Sequence, residues 1–509
     1  MIDRGARVAS VVFALCLLAA AAPIVAASTS RADLEGSIRG AIAASGLKKA
    51  TISVSVRDAD GTELAALSGT RPMIPASNLK LFTTGAALAS LGPDFTFRTR
   101  LLRDGDRLVV VGDGDPAFGD PELLSGLVSV AADGTARRGL TVEDLLAGWA
   151  DAVAATGVKQ ISAVVVDDRI FAREGVHPGW PADQLNEAYC AQVWGLNFHA
   201  NLLHLFPTVA GGRGTIDRLV PAAPWVKLTT EATAKRGSKD AHTAWVARNS
   251  DGSFTLRGNV RTVGTDPIVI TATDTPTFFA RLLADRLARR GVLVGAAYAA
   301  GATDPAPKGA TVGAVVQTPI ATTITRANRD SENLYAECLL KRMAARDSGN
   351  SGSWSRGTQA LRARIEARVG GPVAAGFVYS EGSGLSRANR ITASGASAWI
   401  ASVATDPTLG APWLESMAVA GSTGTVNKRM KDLAPLGVTV RCKSGYINGT
   451  CCLSGVVSTS DGRAECFSIL CNDLTETDAV GKAKRLQDRI VRLVAEDLQA
   501  RGDRTRLGG

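Results

Sequence analysis

Pro75-Ala76-Ser77-Asn78-Leu79-Lys80 decides how the rest of the chain is read. Pro75 and the small residues after it open a helix expected to run through Leu88, which places Ser77 at a helix N-terminus. Ser77 and Lys80 are three residues apart, so their side chains share one helical face. A serine hydroxyl is a poor nucleophile until a base stands beside it. Lysine can be that base only while part of it is neutral, and lowering an amine from about 10.4 to about 7 requires roughly 4–5 kcal/mol of bias against its charged form. Burial and a second nearby cation are the available causes. The helix N-terminus adds N–H groups and partial positive charge where an oxyanion would form.

One Ser-x-x-Lys means little, and Ser45–Lys48 repeats it at an expected solvated helix end. Two further triplets, in order, supply the missing parts. Ser331-Glu332-Asn333 offers a hydroxyl suited to passing a proton toward a leaving amine. Its Asn333 amide would hold a substrate amide and orient Lys80. Lys443-Ser444-Gly445 offers the second cation, which would also attract a substrate carboxylate, and a glycine that lets a substrate backbone approach. The N–H of Tyr446 would complete an oxyanion hole with the N–H of Ser77, each donor typically worth about 3–4 kcal/mol of barrier. Ser348–Asn350 repeats Ser-x-Asn in a Gly/Ser-rich stretch and is expected to be a loop.

Competing chemistries find no foothold. The four histidines, His177, His199, His204 and His242, build no metal pair, since His199 and His204 are five apart and share no helix face. No Cys-x-x-Cys, no Gly-x-Ser-x-Gly elbow and no phosphate loop occurs, so neither metal nor cofactor is expected. Gly112-Asp113-Gly114-Asp115-Pro116 is acidic and is expected to be a turn ending a strand. The formal charge of +9 comes from scattered residues with no basic run, which argues against nucleic acid and suits an anionic polymer.

Residues 1–27 read as a secretory signal peptide: Arg4 and Arg7, then an apolar run from Val8 to Ala22, then Val25-Ala26-Ala27 as the cleavage site. No other stretch is long and apolar enough to span a bilayer. Membrane contact is therefore expected to be peripheral or absent, and the location exported, periplasmic or extracytoplasmic. Export permits disulfides, and five of the seven cysteines left after Cys16 fall between Cys442 and Cys471, where one or two bridges are expected.

At 509 residues, 45% hydrophobic, the chain is globular and too long for one core. Strand-like runs at Ala50–Arg57 and Glu63–Leu67 are joined across Asp60-Gly61, a hairpin signal. Three more follow at Val438–Lys443, Leu453–Ser458 and Cys466–Cys471, before a closing helix striped by Leu486, Ile490, Leu493 and Leu498. Strands at both chain ends predict one antiparallel sheet under a helical layer, an α/β plan. Residues 28–97 and 311–500 are expected to form this discontinuous domain. Residues 98–310 would be a large α+β insert, of two lobes.

On these residues the chain resembles the class C low-molecular-mass penicillin-binding proteins, the D-alanyl-D-alanine carboxypeptidase/endopeptidase family. Pro75–Ala86, Val111–Pro116, Tyr189–Asn201, Glu381 through Arg387, Gly424-Thr425 through Arg429 and Leu453-Ser454-Gly455 look like its blocks. The resemblance implies a β-lactamase/transpeptidase-like domain interrupted by an insert, and cleavage of peptidoglycan stem peptides through an acyl-enzyme. It implies Ser77 as nucleophile and Lys80 as base, with Ser331, Asn333 and Lys443 in the roles above. Ser444, Gly445, Tyr446 and Ser383 would bind substrate or line the cleft. β-Lactams would be covalent inhibitors. Tyr446 stands where the family usually has threonine, and Glu381 where it has aspartate. These departures leave two other readings: a wall-associated, penicillin-binding scaffold with weak or no turnover, and a β-lactamase or esterase, for which no deacylating carboxylate stands out.

Overall fold

The Asp60-Gly61 turn closes a hairpin of strands Thr51–Asp58 and Glu63–Leu67, with Val54 opposite Leu67 and Arg57 opposite Glu63. In this computed structural model, which describes residues 22–130, 136–235, 242–261 and 266–507, that hairpin forms one edge of a six-stranded sheet. Strands Ala464–Asn472, Thr450–Thr459, Val438–Ile447 and Ala418–Val419 complete it, every neighbour antiparallel. Both chain ends thus meet in one sheet, as the pattern predicts.

Alternation along these strands sorts the faces. Val54, Val56, Leu453, Val457, Phe467 and Ile469 point to one side, where they pack with Leu486, Ile490 and Leu498 of the closing helix Ala479–Leu507. Leu493 lies at the margin of that cluster. The opposite side carries Ser55, Ser454 and Ser468, with Ser55 Oγ 2.8 Å from Ser397 Oγ on helix Ala393–Ala404. The first helix, Ala22–Ala44, begins inside the expected signal segment; residues 1–21 of that segment lie outside the described residues.

The chain divides into two compact units. One comprises the residues up to Asn78 with Ile365–Val378 and Asn389 onward; the other comprises Leu79–Arg364 with Tyr379–Ala388. The expected boundaries at 97/98 and 310/311 follow chain order, whereas contact density assigns helices Leu79–Leu91, Ile320–Asn328 and Asn333–Ser348 to the second unit. Within it, strands Arg107–Val111, Gln160–Asp167 and Leu293–Ala299 run parallel, flanked by antiparallel Thr96–Asp104. Trp149, Phe279 and Leu283 from helices Val142–Ala154 and Thr275–Ala288 cover them. Residues 202–271 form two smaller sheets between elements of this parallel one.

The expected disulfides are not formed. All seven described cysteines are free and buried, although Cys451 and Cys471 are direct cross-strand partners. They serve as small apolar core residues, and burial raises the Cys442 and Cys466 thiols to about 12.

Candidate active site

The helix at Ser77 starts as a short 3₁₀ turn, Ala76–Asn78, which runs directly into Leu79–Leu91. In the first unit, strand Val438–Ile447 lies against this turn. A Cβ on Gly445 would stand 3.0 Å from both Pro75 O and the backbone N of Ser77, too close for any side chain to be accommodated without movement. Gly445 is thus required by the protein's own backbone, beyond the substrate approach expected of it. Asn78 locks the contact. Its amide nitrogen donates to the Lys443 carbonyl at 2.9 Å, and its oxygen accepts from Ser454 Oγ at 2.7 Å and Ser454 N at 3.2 Å. Lys443 is fully buried and donates to the Ser444 carbonyl at 2.8 Å. Ser444 Oγ lies 2.7 Å from Thr425 Oγ1, and Tyr446 is 58% exposed.

In the second unit, Lys80 is fully buried near the start of Leu79–Leu91. Its Nζ donates to Asn333 Oδ1 at 2.6 Å and to the Ser383 carbonyl at 2.8 Å. Burial lowers its pKa to about 8, while the carboxylates of Glu381, Glu337 and Glu332 pull the other way. The expectation named burial and the Lys443 cation as causes; burial is the one that lowers it, and the charges acting on it are the three carboxylates.

Asn333 opens helix Asn333–Ser348, and its Nδ2 donates to the Tyr189 carbonyl at 2.9 Å. Ser331 sits just outside this helix with φ of +70°, half-buried, in a turn stapled by the Arg326–Asp330 pair at 2.9 Å. Ser383, expected on the substrate side, is buried and braces Lys80 instead. Its hydroxyl donates to Glu381 at 2.5 Å and its N–H to Glu337 at 2.8 Å.

Asn333, Glu337 and Lys341 of helix Asn333–Ser348 stand four apart and so share one face, with Asn333 half-buried and the other two buried. Asn333 holds Lys80. Glu337 accepts from Gly382 N at 2.9 Å, Ser383 N at 2.8 Å and Trp354 Nε1 at 2.8 Å. Lys341 lies 3.6 Å from the centre of the Trp354 ring and 3.6 Å from Glu174. Burial, and then the adjoining Glu381 carboxyl, push Glu337 well above the usual carboxylic range.

Asn78, Glu337 and Lys341 escape sequence reasoning, because their partners lie far away along the chain. The only local sign was the four-residue spacing of 333, 337 and 341. The two repeated motifs are structural: Ser45 Oγ donates to Ile42 O at 2.7 Å, and Ser348 Oγ to Ala344 O at 2.7 Å. His199 and His204, expected to stay apart, meet with ring centroids 4.6 Å apart, although among the described residues no group of three or more metal-ligating side chains forms.

A model of the D-Ala-D-Ala carboxypeptidase 3 (S13) family matches residues 34–496. The chain is 29% identical over 496 residues to a D-alanyl-D-alanine carboxypeptidase of Actinomadura sp. (strain R39), spanning 90% of this chain and 84% of that protein. Its fold is similar to the crystal structure of penicillin binding protein 4 from Haemophilus influenzae, at 19% identity and a TM-score of 0.68, covering 89% of this chain and 97% of the other. The same protein complexed with a β-lactam gives 18% identity and a TM-score of 0.63, covering 87% and 96%.

Proposed function

The chain belongs to the D-Ala-D-Ala carboxypeptidase 3 (S13) family and is a serine peptidase, and on that premise we propose that Ser77 is acylated by peptidoglycan stem peptides with Lys80 as its base. The observation that carries this reading is the state of Lys80. A lysine buried against two neutral acceptors, with its pKa lowered to about 8, is partly neutral at physiological pH and can take the Ser77 proton. Ser77 and Lys80 stand at positions i and i+3 of continuous helical chain, the spacing at which side chains meet.

Ser77 Oγ then adds to the carbonyl of the penultimate D-alanine. The oxyanion is received by the N–H groups of Ser77 and Tyr446, and Gly445 is what allows those two backbone segments to lie so close. Collapse expels the terminal D-alanine, whose amine takes the proton by way of Ser331. Water next attacks the acyl-serine while Lys80 accepts its proton, and Lys80 returns that proton to Ser77 Oγ as the shortened peptide leaves. Lys443 attracts the substrate's terminal carboxylate, while Asn333 fixes Lys80 and the substrate amide. A cross-linked peptide places an amine-bearing chain where D-alanine stands, so endopeptidase action uses the same steps. A β-lactam, as in the complex of penicillin binding protein 4, would acylate the same serine.

The apolar N-terminal run supports an exported protein, and among the described residues no helix is long and apolar enough to cross a membrane. The test is incubation with labelled penicillin and with cross-linked and uncross-linked muropeptides, read by mass. Label on Ser77 with release of D-alanine supports the reading. An unlabelled protein overturns it, and stem-peptide binding without release identifies a scaffold.

A further inference from the structure

Strands Arg107–Val111 and Gln160–Asp167 run parallel, and their C-terminal ends open on a cavity of about 670 Å³ inside the second unit. The space beyond the C-terminal ends of parallel strands is where α/β sheets most often take ligands. Arg98, Arg100 and Arg169 line this cavity with Asp113 and Asp167.

The charges in it do not cancel. Asp167 is paired with Arg169 at 2.7 Å, and Arg169 also donates to the Asp304 carbonyl at 2.6 Å. Asp113 is paired with Arg342 at 3.0 Å and accepts from the Arg98 backbone N–H at 3.2 Å. Both acids are therefore engaged. Arg98 and Arg100 are exposed, and Arg100 stands near enough to Asp113 to favour its carboxylate while Arg342 makes the direct ion pair with that acid. Standing at alternate positions of strand Thr96–Asp104, they face the same way, about 7 Å apart along the strand. Two exposed guanidinium forks at that spacing match a planar oxyanion.

The cavity is reached along the helix that serves the active site. Asn333 begins that 16-residue helix, while Ala345, in its last turn, and Gly349, just beyond it, line the cavity, so the two lie roughly 20–24 Å apart along the axis. The helix carbonyls at this end are capped, by Gly349 N to Ala345 O and Ser348 Oγ to Ala344 O. An extended peptide covers that distance in about seven residues, more than one short stem peptide and within reach of a cross-linked pair.

We propose that Arg98 and Arg100 form an accessory site for a carboxylate of the peptide portion of a polymeric wall substrate, separate from the acylating centre. It rests on the proposed peptide hydrolysis and adds to it a preference for large substrates. Grip on a remote part of the substrate raises the rate on the polymer and leaves a short peptide untouched.

The experiment compares wild type with the R98Q/R100Q double variant, both exposed positions outside the catalytic machinery. D-Alanine release from a short synthetic peptide is expected to be unchanged, while release from cross-linked peptidoglycan fragments falls about five- to tenfold. Raising salt from about 0.05 to about 0.3 M should slow the wild type on the polymer far more than the variant. Equal polymer rates, or an equal loss on both substrates, overturn the proposal. Calorimetric titration with glutarate and with inorganic phosphate requires no turnover, so it decides the site even if the peptide is not cleaved. Heat from glutarate that the variant lacks supports it; no heat, or heat from phosphate alone, overturns it.

Discussion

The side-chain amide of Asn78 donates to the backbone carbonyl of Lys443 at 2.9 Å, tying the residue after Ser77, the proposed nucleophile, to the strand that bears Lys443-Ser444-Gly445. The nucleophile turn and that strand are held in one register by a residue that is not itself reactive. Asn78→Ala removes this bond and the two from Ser454 and leaves buried groups unpaired. We expect a loss of about 2–3 kcal/mol in stability and a drop of at least tenfold in the acylation rate, measured by denaturant unfolding and by labelled penicillin. An acylation rate equal to wild type would show that the tie does not position Ser77.

If Lys80 is the base, it sets the pH profile. Acylation should fall about tenfold per pH unit below about 8 and level off above it, because only the neutral amine accepts the proton. The sign for stability follows from the same shift. The unfolded lysine titrates near 10.5 and the folded one near 8, so between those values the unfolded chain binds more protons and stability rises with pH. Below pH 8 the buried charge is carried in full. Lys80→Met should abolish acylation and yet stabilise the protein at pH 7 by roughly 1–2 kcal/mol, once the two lost hydrogen bonds are offset. A destabilised Lys80→Met protein would contradict this account.

The acid pair behind Lys80 should be separable by substitution. Glu381 is the larger of the carboxylate pulls on Lys80, so Glu381→Gln is expected to move the acylation midpoint to lower pH. Glu337→Gln, which mimics an acid already holding a proton, should move it less. Glu337→Ala leaves the N–H groups of Gly382, Ser383 and Trp354 without their acceptor and should cost about 3 kcal/mol or more. Midpoints that shift equally in both glutamine variants would remove the distinction.

Asp115 links stability to pH elsewhere. Burial raises it to about 7, while Thr318 Oγ1 at 2.7 Å and Ala117 N at 2.8 Å hold its oxygens. Its contribution is full below the unfolded value of 3.8 and is lost as pH rises through 7, a change of about 4 kcal/mol at most. Asp115→Asn keeps the shape and should flatten that slope, which thermal unfolding between pH 4 and pH 8 would record.

Ser77, Lys80, Ser331, Asn333, Lys443 and Gly445 stand out in the sequence as candidates because each belongs to a short motif whose chemistry requires neighbours of a particular type. The sheet was legible for a similar reason: alternation at Glu63–Leu67 and Cys466–Cys471 is a local signal, and both chain ends carried it. What stayed hidden depends on distant pairing. Asn78 looks like any polar residue until Ser454 comes beside it. Glu337 looks like a surface helix acid until residues 382–383 fold over it. The cysteine cluster suggested bridges because export favours them, while packing on the sheet uses those side chains as filler. The compact units cut the chain differently from chain order, since helix Leu79–Leu91 packs with helices Ile320–Asn328 and Asn333–Ser348.

A rod whose every fourth residue is committed to a fixed partner tolerates replacement far better than it tolerates a change in length. Inserting or deleting one residue between Asn333 and Lys341 would turn everything beyond it by about 100°. Tyr189, Trp354 and Glu174 would then face the wrong side chains. On the proposed mechanism, the register of this single segment is as much a requirement for acylation as the identity of the serine.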